Sequence, residues 1–428
     1  MSAGPSLDEA LEEASVGASV TVSGPATATG LRRARAWLTR AAEPGSVAFW
    51  RFVDEWGPVE AVRRLRAGSA PDAVRALVGP RAQQDATLAD LARAQRCGAR
   101  LVTPEDDEWP ALGLHALTVA VAEEPGQPRY QSPRTVAPVP PVALWVRGAA
   151  RLDELFDRSV AVVGARASSA YGEHVAGELG HDLAARGWTV VSGGAYGIDG
   201  AAHRGALAAG GPTAAVLACG VDRPYPEGHG ALFHRIAADG LLVSEWPPGA
   251  APHRHRFLVR NRLIAALTRG TVVVEAAARS GAQATARRAE RLGRPVMVVP
   301  GPVTSAMSVG CHELLRDEAL RAALVADAAH VVEVVGRIGA DLADPPARPQ
   351  QARDSLSDVA VRVLDACPVR RGVSAERLAA TAGCEVVEVL RVLPALELAD
   401  LVQWTGTGWR LTPRPGGAGD GPEGAGGG

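Results

Sequence analysis

From about residue 158 to 335 the chain repeats one pattern: a short β-rich apolar run, a glycine-bearing turn, then a helix-sized interval. The runs fall at 159–163, 189–192, 213–217, 241–244, 271–275 and 295–299. Strands alternating with helices in this way predict an α/β fold built on a mostly parallel, doubly wound sheet. Upstream, residues 31–96 carry helical spacing, as in Leu31, Ala34, Trp37 and Leu38, then Phe49, Phe52, Val53 and Trp56, and predict a small helical domain. The α/β region itself opens at 97, with short strands expected around Leu101 and Val102 and over 144–146, and with the proline-rich stretch 127–141 as an exposed loop. After a linker at 337–355, residues 356–412 show apolar helical patterns at 359–364, 375–382 and 386–398, then LVQWTGTGWRL with a turn near Gly406. Three helices followed by two strands suggest a winged-helix domain. Residues 1–30, rich in Ala, Ser, Gly and Thr without a period, read as a disordered leader, and 413–428 as a disordered glycine-rich tail.

Composition narrows the class. At 428 residues and 47% hydrophobic, the chain can bury a large core divided among two or three domains. No run of eighteen apolar residues occurs, and the acidic start MSAGPSLDEALEEAS lacks a signal core. A cytoplasmic protein without a membrane span is expected. The cysteines, Cys97, Cys219, Cys311, Cys367 and Cys384, are odd in number and widely spaced, which argues against a disulfide framework or a zinc site. All 45 basic side chains are arginine, since lysine is absent, and Asn261 is the single asparagine. Every cationic contact must therefore come from a planar, bidentate guanidinium.

Candidate chemistry collects at the carboxyl ends of the expected strands, where open α/β sheets bind ligands. Gly164 followed by Arg166 would let backbone approach a phosphate that a guanidinium clamps; a tight turn with a surface arginine is the plain alternative. In SGGAYGID, Ser192, Gly193, Gly194 and Gly197 offer successive backbone donors as an anion nest, with Asp199 as a helix cap. The spacing is not that of a dinucleotide fingerprint. Glu245 and Glu275 stand at two strand ends where a hydrolase would need an acid and a base, but neither has a histidine at diagnostic spacing. Ser280 and Gly281 in RSGAQAT suit either a phosphate or ordinary capping of the next helix. His203, His253 and His255 read as helix-face or solvent histidines, and no metal set is formed.

The sharpest local feature is PHRHRFLVRNRLIAAL, residues 252–267. No carboxylate occurs between Glu245 and Glu275, while Arg254, Arg256, Arg260, Arg262 and Arg269 all do, in a chain of net charge -2. Taken as a helix over 257–267, it turns Leu263, Ile264 and Leu267 toward the sheet and leaves Arg256 and Arg260 four apart beside Phe257. Cations that follow phosphates and a ring that stacks a base are the ingredients of a single-strand groove.

In order along the chain, VAVVGAR, TVVSGGAYGIDGAAHRGAL, AVLACGVDRPYP, GLLVSEWPPG, RFLVRNRLIAAL, VVVEAAARSGAQATA and VMVVPGPV resemble the DprA/Smf family of bacterial DNA-processing proteins, over about 160–303. The resemblance implies an extended Rossmann-like doubly wound sheet that binds single-stranded DNA without catalysis or cofactor, self-associates into a homodimer and loads the RecA recombinase. Carried onto this chain, the family's glycine-serine-arginine turn matches Arg166, with Ala165 in place of serine. Ser192 and Gly193 match its glycine-rich segment, where Tyr196 replaces a basic residue. Phe257, Arg260, Asn261 and Arg262 match its F-P-x-R-N-R segment, with Leu258 in place of proline. The resemblance also implies a C-terminal winged helix, although the third helix carries Glu385, Glu388 and Glu397 against Arg391 alone, a poor set for DNA. The helical N-terminal region shows no helix-hairpin-helix glycine pattern and receives no binding role. The competing class is a nucleotide-processing enzyme resembling nucleoside monophosphate phosphoribohydrolases, whose P-G-G-x-G-T-x-x-E loop EAAARSGAQATA does not reproduce.

Overall fold

A computed structural model describes residues 25–123, 136–337, 339, 341 and 356–413. Nine strands form one sheet in the order β1-β2-β6-β5-β4-β3-β7-β8-β9. In sequence these are β1 Ala99–Val102, β2 Leu144–Arg147, β3 Ser159–Val163, β4 Thr189–Ser192, β5 Thr213–Val216, β6 Leu241–Ser244, β7 Thr271–Val273, β8 Val296–Val298 and β9 Ala323–Leu324. Pairing is antiparallel only at β1–β2 and β2–β6 and parallel elsewhere. Every residue of β3 to β8 is buried, as expected when helices cover both faces of a parallel sheet and the strands read as continuous apolar runs.

Strand order reverses between β3 and β7. From β3 the chain passes through the helix Ala170–Ala185 to β4 on one side, and it later returns through the helix Arg254–Leu267 to β7 on the other. Diverging connections leave a crevice at the carboxyl ends of this pair. Register places Val163 beside Val273, so the segments after both strands open into the same space.

The helices Ala170–Ala185 and Ile198–Ala208 pack unusually closely because glycines face each other. A Cβ built on Gly205 would lie 2.0 Å from the Gly177 carbonyl oxygen, and one on Gly180 would lie 2.3 Å from that of Ala202. The helices before β1 enclose their own core around Trp37, Leu38, Phe49, Phe52 and Leu65. They are tied to the sheet by Glu43, whose carboxylate accepts from Trp246 Nε1 at 3.0 Å and from Arg256 Nη2 at 2.6 Å.

Two expectations need correction. The leader expected over 1–30 is helical from its twenty-fifth residue, in the helix Pro25–Ala41, whose buried Ala34, Trp37 and Leu38 supply the packing that short-range composition does not reveal; residues 1–24 lie outside the described residues. The proline-rich stretch is not an exposed loop where it is described, because Ala137 and Val139 are buried and pack with Val121 and with the half-buried Val47 and Trp50. The rest of that stretch, most of the expected linker and all but the first residue of the tail fall outside the described residues.

Contacts divide the chain into two compact units at Asp344 and Pro345. The second holds the helices Asp358–Ala366, Ala375–Ala382 and Val386–Leu398, then an antiparallel pair, Val402–Trp404 with Trp409–Leu411. Its core joins Val363, Leu378, Val389, Leu393 and Leu396. Among the described residues no helix is long and apolar enough to cross a membrane.

Candidate nucleic-acid interface

A cleft of about 330 Å³ lies at the carboxyl ends of β3 and β7. One wall is Gly164 to Ala167, the facing wall is Phe257, Leu258 and Asn261, and the far end is Ser280 to Ala282 with Thr285. Glycine is needed at 164 because a Cβ there would sit 2.5 Å from Ile198 Cγ1. Arg166 is exposed, and its guanidinium carbon lies 4.9 Å from the centre of the Phe257 ring. That ring is half-buried and meets the exposed Tyr225 edge-on at 6.0 Å. Phe257 is therefore a wall of the cleft and not part of the core.

The other arginines of this segment are placed differently from expectation. Arg260 is buried, not stacked on the surface with Arg256. Its Nη1 donates to Gly193 O at 3.0 Å and also to Val216 O, and its Nε donates to Asn261 Oδ1 at 3.1 Å. Burial pushes the guanidinium down to about 10, with Asp199 opposing the shift and Arg166 adding to it. Arg262 is almost fully enclosed and forms a two-pronged pair with Glu245, 2.6 Å from Nη2 to Oε1. Arg256 is spent on Glu43. The helix spans Arg254–Leu267 and all residues from Arg260 to Leu267 are buried, which is why half of its cations point into the molecule.

The SGGAYGID loop is also not an open nest. The buried Asp199 carboxylate accepts from the backbone N–H of Gly193 at 3.1 Å and of Ala195 at 3.3 Å, so the loop's donors already hold an anion from its own chain. Asp199 closes this loop, while Gly197 occupies the helix N-cap position with φ 75°. Burial pushes the Asp199 carboxyl up, and Arg260 pulls it back. Ser192 is enclosed and its hydroxyl donates to Val162 O at 2.6 Å. Gly193 and Gly194 are buried, and a Cβ on Gly194 would lie 2.4 Å from the Phe233 ring. Tyr196 alone of this loop's expected contacts is exposed, with its ring edge-on to His229 at 4.7 Å.

Ser280 caps the helix Gly281–Arg291 by accepting from Gln283 N–H at 3.4 Å, and exposed Gly281 opens that helix toward the cleft. The two strand-end glutamates are both committed: Glu245 to Arg262, and Glu275 to Ser169, from the backbone N–H at 2.9 Å and the hydroxyl at 2.5 Å. His203, expected on a helix face, is instead fully buried. Among the described residues no group of histidines, cysteines and carboxylates is disposed to hold a metal.

Of the residues singled out in the sequence, Arg166, Phe257, Arg260, Asn261, Ser280 and Gly281 line one cleft. Ser192, Gly193, Gly194 and Arg262 build its support from beneath, and Tyr196 stands on the exposed surface of the neighbouring loop. Sequence reading overlooked Tyr225, whose signal was an aromatic directly before proline in a strand-end segment, CGVDRPYP.

The family model described as DNA recombination-mediator protein A matches residues 101–336. The chain is 48% identical over 379 residues to the putative DNA processing protein DprA of Mycobacterium tuberculosis, covering 89% of this chain and 94% of that one. It is 43% identical over 183 residues to the DNA processing protein DprA of Streptococcus pneumoniae, covering 42% of this chain and 62% of that one. The X-ray structure of the pneumococcal protein superposes with a TM-score of 0.56 at 28% identity, over 71% of this chain and 98% of that one.

Proposed function

The chain belongs to the DNA recombination-mediator protein A family, and from that premise we propose that it binds single-stranded DNA in the cleft between β3 and β7, without catalysing a reaction. The observation that carries this reading is Arg166 poised over Phe257, with Tyr225 beside it: a guanidinium free to clamp a phosphate next to rings that stack a base. Buried Arg260 contributes a long-range field from the floor, and Asn261, Ser280 and Gly281 supply polar groups along the strand's path. Tyr196 extends the surface outward, in place of a basic residue. Glu245 and Glu275, the carboxylates that a hydrolase reading would use, are held by Arg262 and Ser169. In the same reading the protein works in the cytoplasm as a homodimer that delivers the strand to RecA.

The test is fluorescence anisotropy of labelled single- and double-stranded oligonucleotides across a salt series. Wild type should prefer the single strand, and Arg166→Ala should weaken it and reduce the slope of log affinity against log salt by about 0.7, one single-strand phosphate contact. An unchanged slope refutes the cleft as the binding site. Release of a free base from nucleoside monophosphates would instead establish the enzymatic class.

A further inference from the structure

A half-open pocket at the other end of the sheet has no part in this reading. It measures about 560 Å³ and lies where β3, β7 and β8 begin, between the helix Ala111–Glu123, the helix Leu152–Asp157 and the end of the helix Ala328–Val335. The five residues of β3 separate it from the cleft, roughly 16 Å at strand rise.

Its lining has two characters. Trp109, Pro110, Leu112, Phe156 and Pro295 are its apolar members, of which Leu112 is 86% exposed and Phe156 is buried. Its lining also holds three arginines, Arg269, Arg294 and Arg337. Arg269 and Arg337 converge on one carboxylate, Asp157, at 3.1 and 3.0 Å. Asp153, the other acidic lining residue, is paired with Arg151 at 2.9 Å. Among the described residues no carboxylate pairs with Arg294. Its Nη2 reaches only the carbonyl oxygens of Gly113 and Ala266, each at 3.5 Å, and its buried Nε has no partner. Burial and the neighbouring Arg269 both push its guanidinium down, the behaviour of a cation whose charge is uncompensated.

A space of a few hundred cubic ångströms that joins apolar side chains to guanidinium groups, one of them without a carboxylate partner, suits a ligand with an apolar body and an anionic end. Guanidinium forks favour phosphate over carboxylate when several converge, because its oxygens accept from more than one direction. We propose that this pocket is a second site, for a phosphate ester that carries an aromatic base, with the phosphate on Arg294 and Arg337 and the base against Trp109. That chemistry is offered by a free nucleotide and by one unit of a DNA strand.

Isothermal titration of the full chain with adenosine monophosphate, repeated in Arg294→Gln, in the exposed variant Arg337→Gln and in Arg166→Gln, tests the site apart from the cleft. Saturable binding is expected in wild type and in Arg166→Gln, weakened about tenfold in each of the other two, as for loss of a charged fork. The Arg337→Gln variant keeps the test valid if Arg294→Gln fails to fold. An oligonucleotide that displaces the nucleotide from Arg166→Gln protein identifies a DNA strand as the source of the phosphate; failure to displace it identifies a free nucleotide. The proposal is overturned by absence of saturation, by binding indifferent to both Arg294→Gln and Arg337→Gln, or by binding lost in Arg166→Gln, which would put the nucleotide in the cleft while leaving the single-strand reading intact.

Discussion

His203 illustrates how a side chain that looked like surface in the sequence becomes a determinant of stability. It is fully buried, and its Nδ1 lies 2.7 Å from the Thr213 hydroxyl, which gives its one proton to Val190 O at 2.6 Å. Nδ1 must therefore carry the hydrogen, and Nε2 is buried without a partner. Protonation would create a charged N–H with nothing to receive it, and burial, assisted by His229, Arg260 and Arg204 nearby, pushes the pKa from 6.5 down to about 3. The unfolded chain thus binds the proton first. The stabilisation is complete above 6.5 and is lost as pH falls toward 3, at about 1.4 kcal/mol per unit. Between pH 7.5 and 5, chemical denaturation should show wild type losing about 2 kcal/mol more than His203→Gln from this group. Equal losses in the two proteins would remove His203 from the acid response. Arg260 and Arg262 belong to the same lesson, since the sequence shows cations but not the carbonyls and carboxylate, brought from distant strands, that make their burial tolerable.

At the scale of elements the chain was far more readable. Ser159–Val163, Thr189–Ser192 and Leu241–Ser244 fall where their apolar runs place them, because a parallel strand buried on both faces must be apolar throughout. The helices Ala375–Ala382 and Val386–Leu398 likewise match their periodicity. Pairing between helices left a fainter trace. Gly177, Gly180 and Gly205 look like helix-weakening residues in the sequence, whereas in space they allow backbone to touch backbone. Gly205→Val should therefore cost about 3 kcal/mol by overpacking, read as a lower denaturation midpoint at unchanged slope, although valine and glycine are both poor helix formers. A midpoint within experimental error of wild type would mean that the two helices can separate without loss.

For the whole molecule, the sequence located the cleft without showing its construction. Alternation of strands and helices implied a switch point, and the polar and glycine-rich segments gathered at strand ends marked it. It could not separate the exposed Arg166 from the enclosed Arg260, nor show that Asp199 fills its own loop, because both depend on packing between segments far apart in the chain. The C-terminal unit has its own core, and the helix Val386–Leu398, packed there through Val389, Leu393 and Leu396, carries Glu388 in its first turn, capped through Glu385, so it adds little positive field. A chain ending at Asp344 should keep single-strand affinity within about threefold, less than 1 kcal/mol. Anisotropy that falls further would give the second unit a direct share in binding. The floor beneath the cleft carries one more consequence. With Arg260 bonded to Gly193 O, Val216 O and Asn261 Oδ1, that floor is assembled before any ligand arrives. Its ordering entropy is settled during folding, so the heat-capacity change of association should come from the rim aromatics, and calorimetry should find it nearly the same whatever the sequence of the strand.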